Sequence, residues 1–202
     1  HTLIAWQGAL PTGMAATRIK GFIEEGGAVI FFPPGQPDGA QFLGAGWGDV
    51  QAAAADKPFH ITRWEEQEGP LAKTGEGLSL PLPDTEFVKR QAITGDKNVL
   101  AAFDDGAPFL TRRTLGRGQF FLCASLPRED WSSLGEGPVI VPLVQRLLQA
   151  GARRLNQDTM VACGELSAAD KAKPWTAVDI ATPKDILTQA GVYRSGDRLL
   201  AV

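Results

Sequence analysis

Apolar residues fall into short continuous runs through the first third of the chain, and the gaps between them have helical spacing. Leu3-Ile4-Ala5-Trp6 reads as a buried strand, and Ala28-Val29-Ile30-Phe31-Phe32 as a second, closed by Pro33-Pro34-Gly35. Between them Ala15, Ile19, Phe22 and Ile23 recur at i, i+4, i+7 and i+8. That is one face of a helix from about Met14 to Glu25, with Thr12 as N-cap and Gly26-Gly27 as its stop. Strand, helix and strand within about 30 residues make a βαβ unit. Near-continuous apolar strands imply a parallel sheet covered on both faces.

Patterning fades over residues 35–95, which are rich in Gly, Pro, Asp and Glu and read as an irregular insertion with short elements of its own. His60 to Trp64 alternates enough for an exposed strand. Regularity returns with Val99–Phe103, Pro108–Thr114 and Gln119–Ala124. The turns Asp104-Asp105-Gly106 and Gly116-Arg117-Gly118 join these segments into an antiparallel meander. Ile140, Leu143, Val144, Leu147 and Leu148 mark the clearest helix, with Arg153 and Arg154 suited to its C-terminal dipole. Beyond Leu155 only short strand candidates remain. The expectation is an α/β domain over 1–155, with a mostly parallel flavodoxin-like sheet and helices on both faces, and a β-rich extension over 156–202.

Composition narrows the function classes. Of 202 residues, 44% are hydrophobic and 21% charged, as in a folded globular chain, and the net charge of −3 gives no general attraction to nucleic acid. No run of about 18 apolar residues exists to span a membrane. Cys123 and Cys163 match no metal spacing, and Cys123 lies in an apolar run that reads as a buried, unreactive core position. No cofactor or metal is expected. His1 and the apolar terminus Leu199-Leu200-Ala201-Val202 read as the cut ends of a fragment.

Several segments resemble class I glutamine-amidotransferase-like domains: Ile4-Ala5-Trp6-Gln7-Gly8 with Leu10-Pro11-Thr12-Gly13, Glu24-Glu25-Gly26-Gly27, and Val29 through Gly35. Gly116 to Phe121 and Asp130-Trp131-Ser132-Ser133-Leu134 are similar to the final strand and following loop of that group. Pro138, Pro142-Leu143, Ala150-Gly151 and Ala190 to Arg194 are similar to BatA-like (aerotolerance-type) membrane-anchored bacterial proteins. This resemblance implies a cell-envelope protein, extracytoplasmic or membrane-anchored, whose partners are other domains of its own chain or envelope proteins. The sequence departs from the active pattern. It has no Gly-x-Cys-x-Gly or Gly-x-Ser-x-Gly elbow, and Ser125-Leu126-Pro127-Arg128-Glu129 stands where the catalytic histidine belongs.

No residue is therefore assigned to catalysis, and the expected role is a non-catalytic binding or scaffold domain. The alternative is a hydrolase, an amidotransferase-like enzyme or a small-molecule-binding module completed by residues before His1. Open α/β sheets bind ligands beyond the carboxyl ends of their strands. Gln7, Gly8, Pro34, Gly35, Ser125 and Arg128 are the residues expected there, with Arg128 placed to meet an anion.

Overall fold

The protein is described by a computed structural model. It describes residues 2–37, 39–73, 77–156, 162–163, 166, 171–178, 186, 189–195 and 198–202, with the backbone alone at 153–156 and 198–199. In chain order the elements are β1 (Leu3–Gln7), α1 (Gly13–Glu24), β2 (Ala28–Phe32), β3 (Gln41–Phe42), β4 (Ala45–Ala52), β5 (Ile61–Trp64), β6 (Lys89–Thr94), β7 (Val99–Phe103), β8 (Pro108–Leu115) and β9 (Gly118–Cys123). A 3₁₀ turn (Ser133–Glu136), α2 (Ile140–Asn156), β10 (Thr176–Ala177), β11 (Val192–Ser195) and β12 (Arg198–Ala201) follow. The chain divides into two compact units, 1–152 and 153–202.

The first unit is built on a six-stranded sheet of order β1-β2-β9-β8-β7-β5. α1 forms where the apolar spacing places it, and it buries Ile19 and Ile23. Phe22, on the apolar face expected to be buried, is only half-buried; it packs against the core, on the backbone of Gly27. The βαβ unit brings β1 and β2 together in parallel, and β9 joins β2 in parallel. β2 is buried along its whole length, but β1 lies at the edge and is only half-buried, contrary to the buried strand its apolar run suggests.

The mostly parallel, flavodoxin-like sheet flanked by helices is not what the chain forms. Only two of the five pairings in this sheet are parallel, and β9-β8, β8-β7 and β7-β5 are antiparallel. The described residues hold just two α-helices. The reason lies in the connections. Asp104-Asp105-Gly106 and Gly116-Arg117 are too short for a crossover, so the apolar strands they join must run antiparallel. Burial of the continuous run Val99–Phe103 therefore reports cover by other parts of the chain, not parallel pairing. Part of that cover comes from residues 35–95, which contribute β3 to β6. β3, β4 and β6 form a second, antiparallel sheet.

Phe31, Phe42 and Phe120 meet at centroid distances of 5.2–6.0 Å and join β2, β3 and β9 in one aromatic cluster. Phe87, Phe103 and Phe109 form another, at 5.0–5.6 Å. The second unit holds a three-stranded antiparallel sheet, β10-β11-β12, with Tyr193 and Leu200 buried.

Candidate functional site

The carboxyl ends of β2 and β9 lie side by side, because the two strands are parallel neighbours. In an open α/β sheet this rim is where a ligand crevice forms. Here β6 runs across it, and Gln91, with no exposed surface, is the residue at the junction. Its backbone N–H donates to the Ala124 carbonyl just after β9 (2.7 Å). Its side-chain oxygen accepts from the Gly35 N–H just after β2 (3.1 Å). Its side-chain nitrogen donates to the Gly48 carbonyl of β4 (2.9 Å). One residue thus ties both central strands to the second sheet, β9 through its backbone and β2 through its side chain.

The residues expected to line a crevice take different positions. Ser125 is fully buried, and its hydroxyl donates to the Lys89 carbonyl (2.8 Å). Gly35 gives its N–H to Gln91, and a side chain there would touch the Trp131 ring. Pro34 is half-buried beside it. Gln7 is exposed at the end of β1, and Gly8 follows with φ 125°, a backbone value that excludes most side chains. Arg128 is exposed, and its Nε and Nη2 donate to the two carboxylate oxygens of Asp130 at 2.9 Å each. That hydrogen-bonded guanidinium, with Lys89 also nearby at 3.7 Å, holds the Asp130 carboxyl below its usual range. The structure brings Gly35 and Ser125 together through β6, while Arg128 spends its fork on Asp130.

Open space lies next to this rim, and a separate cleft of about 400 Å³ lies along residues 62–67 at β5. A cleft of about 490 Å³ is lined by Glu86, Val88, Pro127, Glu129, Ser132, Ser133, Gly135 and Glu136. A smaller one of about 250 Å³ shares Ser133 and Glu136 and adds Asp84 and Thr85. The walls are fixed by reciprocal bonds between two loops. The Glu86 N–H donates to the Ser133 hydroxyl (3.0 Å), and the Ser133 N–H donates back to the Glu86 carbonyl (3.0 Å). The Ser132 hydroxyl donates to the Leu126 carbonyl (2.7 Å) and accepts from the Leu134 N–H (3.4 Å). The hydroxyls thus serve as braces, and the carboxylates of Glu86, Glu129 and Glu136 supply the polar surface. Carboxylates of this kind accept hydrogen bonds from ligand hydroxyls, ammonium or guanidinium groups. Among the described residues no group of three His, Cys, Asp or Glu side chains is placed to hold a metal ion.

Cys123 ends β9 beneath the rim. Burial pushes its thiol up to about 12, and the S–H points at the Ser125 carbonyl (3.5 Å). Such a thiol supplies no thiolate near neutral pH.

The sequence gives no sign of Gln91's role. It follows Lys89-Arg90 in the stretch read as an irregular insertion, and only the sheet crossing above β2 and β9 buries it. Glu86 and Glu136 are equally unmarked, and Ser133 is marked only within the loop after β9; Glu86 lies 47 residues before Ser133, and only tertiary structure joins their loops.

No family model and no curated protein matches the sequence. Solved structures do match. A cold-adapted β-galactosidase from Rahnella sp. R3 superposes over 72% of this chain with a TM-score of 0.50 and 16% identity. A β-galactosidase from Bacillus circulans sp. alkalophilus covers 72% at 17% identity with a TM-score of 0.48. A GH42 β-galactosidase, Gan42B, covers 73% at 14% identity with a TM-score of 0.46. In each the matched part is 22% of the other chain, so this chain spans about a fifth of those proteins. These findings overturn the resemblance to class I glutamine amidotransferases and BatA-like proteins. The segments that carried it, strand–helix–Gly-Gly–strand–Pro-Gly, are what any tight βαβ unit requires, because the glycines end the helix and the prolines end the strand. They mark a local motif and not a family. What the chain shares with the Rahnella enzyme is the fold of a part of it.

Proposed function

We propose that this chain is a non-catalytic module of a larger, hydrolase-type protein that acts on glycosides, and that it serves its neighbours in that protein as a scaffold. The observation that supports this reading is the Gln91 plug. The rim where an open α/β sheet would hold a substrate is bonded to protein through Gly35, Ala124 and Gly48, and Ser125 is spent on Lys89. The likeness in fold to one part of a β-galactosidase supports the hydrolase-type setting.

A second reading is favoured by the cleft at Glu86, Glu129 and Glu136. Glycoside hydrolysis uses a pair of carboxyl groups as acid and base or nucleophile, and this cleft presents carboxylates. In that reading residues from elsewhere in the protein complete the site.

One experiment separates the two. Hydrolysis of p-nitrophenyl β-galactoside is measured for the whole protein and for Glu86→Gln, Glu129→Gln and Glu136→Gln variants of it. A scaffold module leaves kcat within about twofold of wild type in all three. Loss of a catalytic carboxylate lowers kcat by a factor on the order of 10³ or more, and such a loss in any variant would transfer the catalytic role to this cleft.

A further inference from the structure

The six-stranded sheet has two edges, and they are built differently. At β5 the exposed Arg63 puts a charge on the edge, the pairing with β7 shifts register between Ile61 and Arg63, and Glu65 and Glu66 follow at once. Charge and irregularity are the usual means by which an edge avoids pairing with another strand. β1 has neither. Leu3–Gln7 carries no charged residue and no proline, and its register with β2 is unbroken from Leu3↔Ala28 to Gln7↔Phe32.

The backbone of β1 has a free side. The Thr2 carbonyl accepts from the Ala28 N–H (3.0 Å), and successive strand residues turn their N–H and C=O to alternate sides. Thr2, Ile4 and Trp6 therefore face β2. Leu3, Ala5 and Gln7 present donors and acceptors outward, where no described strand pairs with them. Ala5 is exposed, and Leu3, Ile4 and Trp6 are only half-buried beside the wholly buried β2. The surface continues on α2, whose Gly151 lies against the Thr2 carbonyl. Leu148, three residues earlier, and Val141 are 42% and 62% exposed on one stripe with the half-buried Val144.

We propose that an extended strand from the rest of the same polypeptide pairs with β1 through Leu3, Ala5 and Gln7 and makes a seventh strand of this sheet. The proposal rests on the reading of the chain as a module of a longer protein. A row of outward N–H and C=O groups selects a strand as occupant over a helix or a ligand. The occurrence of this fold within 22% of the Rahnella chain places such a module beside further segments of its own polypeptide, present at high effective concentration.

Amide hydrogen exchange tests this on the whole protein and on the 202-residue chain. In the whole protein the Ala5 and Gln7 amides exchange about 100-fold or more slowly than in the chain alone, whereas those of β2 are slow in both. Equal rates at Ala5 and Gln7 in the two proteins would overturn the proposal. So would protection in the chain alone that grows with its concentration, which would make a second copy the occupant. An Ala5→Pro variant adds a second readout, because proline is tolerated where an edge N–H faces solvent. It is expected to leave the melting temperature of the chain alone within about 2 °C and to lower that of the whole protein by about 5 °C or more. An equal effect in both sinks the proposal. Exchange and melting are independent of glycosidase activity, so a whole protein that protects β1 but hydrolyses no glycoside would reject the hydrolase-type reading alone.

Discussion

Arg90 and Gln91 are neighbours on β6 and point to opposite faces, yet both are buried, at 5% and 0% exposure. Each needs its own set of partners, since a buried polar group without them is destabilising. The Arg90 guanidinium is clamped by the Asp105 carboxylate, donates from Nε to Gln51 (2.8 Å), and lies 3.9 Å from the Phe59 ring centroid and 4.8 Å from that of Phe103. The Arg90 hydrogen bonds hold the Asp105 carboxyl down to about 2. Because the folded value is depressed, the contribution to stability is complete above the unfolded value near 4 and is lost as pH falls from about 4 to about 2. Asp105 is half exposed, so solvent screens part of this effect. The expected outcome is a fall in urea midpoint across that window in the wild type and a flatter profile in Asp105→Asn. Parallel profiles would show that the pair is not coupled to folding. Gln91→Ala strips partners from the Gly35 N–H and the Gly48 carbonyl together and should cost about 2–4 kcal/mol in equilibrium unfolding. A loss below about 0.5 kcal/mol would mean that water replaces the amide and that the rim is open. Cys123, held near 12 by burial, should stay unlabelled by a thiol reagent in the native protein while the exposed Cys163 reacts.

At the scale of elements, α1 packs on β9 because Gly118 has no side chain. A Cβ there would run into the Ile23 and Gly27 carbonyls, so the helix end and the strand meet backbone to backbone. Gly118→Ala should therefore force the two apart and cost about 1–3 kcal/mol, read as a lower unfolding midpoint. A neutral effect would place the contact elsewhere. The helix itself was legible in the sequence, since Ile19 and Ile23 fall on its buried face as the spacing requires. Phe22 shows the limit of that reading. Periodicity gives a face but not how much of it is covered, and a half-buried phenyl should lose roughly 2 kcal/mol on truncation to Ala, below the ~3–5 kcal/mol of full burial. The meander of β7, β8 and β9 was legible too, because its short turns permit one geometry. Strand direction across the whole sheet was not, since burial of an apolar run carries no information on its neighbours' direction. The rim suffered most. Its chemistry depends on Gln91 reaching β2 and β9 from 56 residues after Gly35, and no local pattern encodes that meeting.

For the whole chain, the division into two compact units falls after Ala152, and among the described residues the main apolar cluster draws on the first unit. Among the described residues the main core runs from Leu10 to Leu147 and includes both aromatic clusters. The buried residues of the second unit, Leu166, Tyr193 and Leu200, stand outside that cluster. Cooperative unfolding follows the core that is shared, so units with separate cores should unfold separately. A chain ending at Asn156, which keeps α2 whole, should retain the melting temperature of the major transition within about 2 °C of the 202-residue chain. Its heat-capacity increment should fall roughly in proportion to the residues removed. The Gln91 plug would be untouched, because every partner of that side chain lies before residue 125. A major transition lowered by about 10 °C or more, or a single transition that moves as one with mutations in both units, would show that residues 153–202 are part of the main cooperative unit.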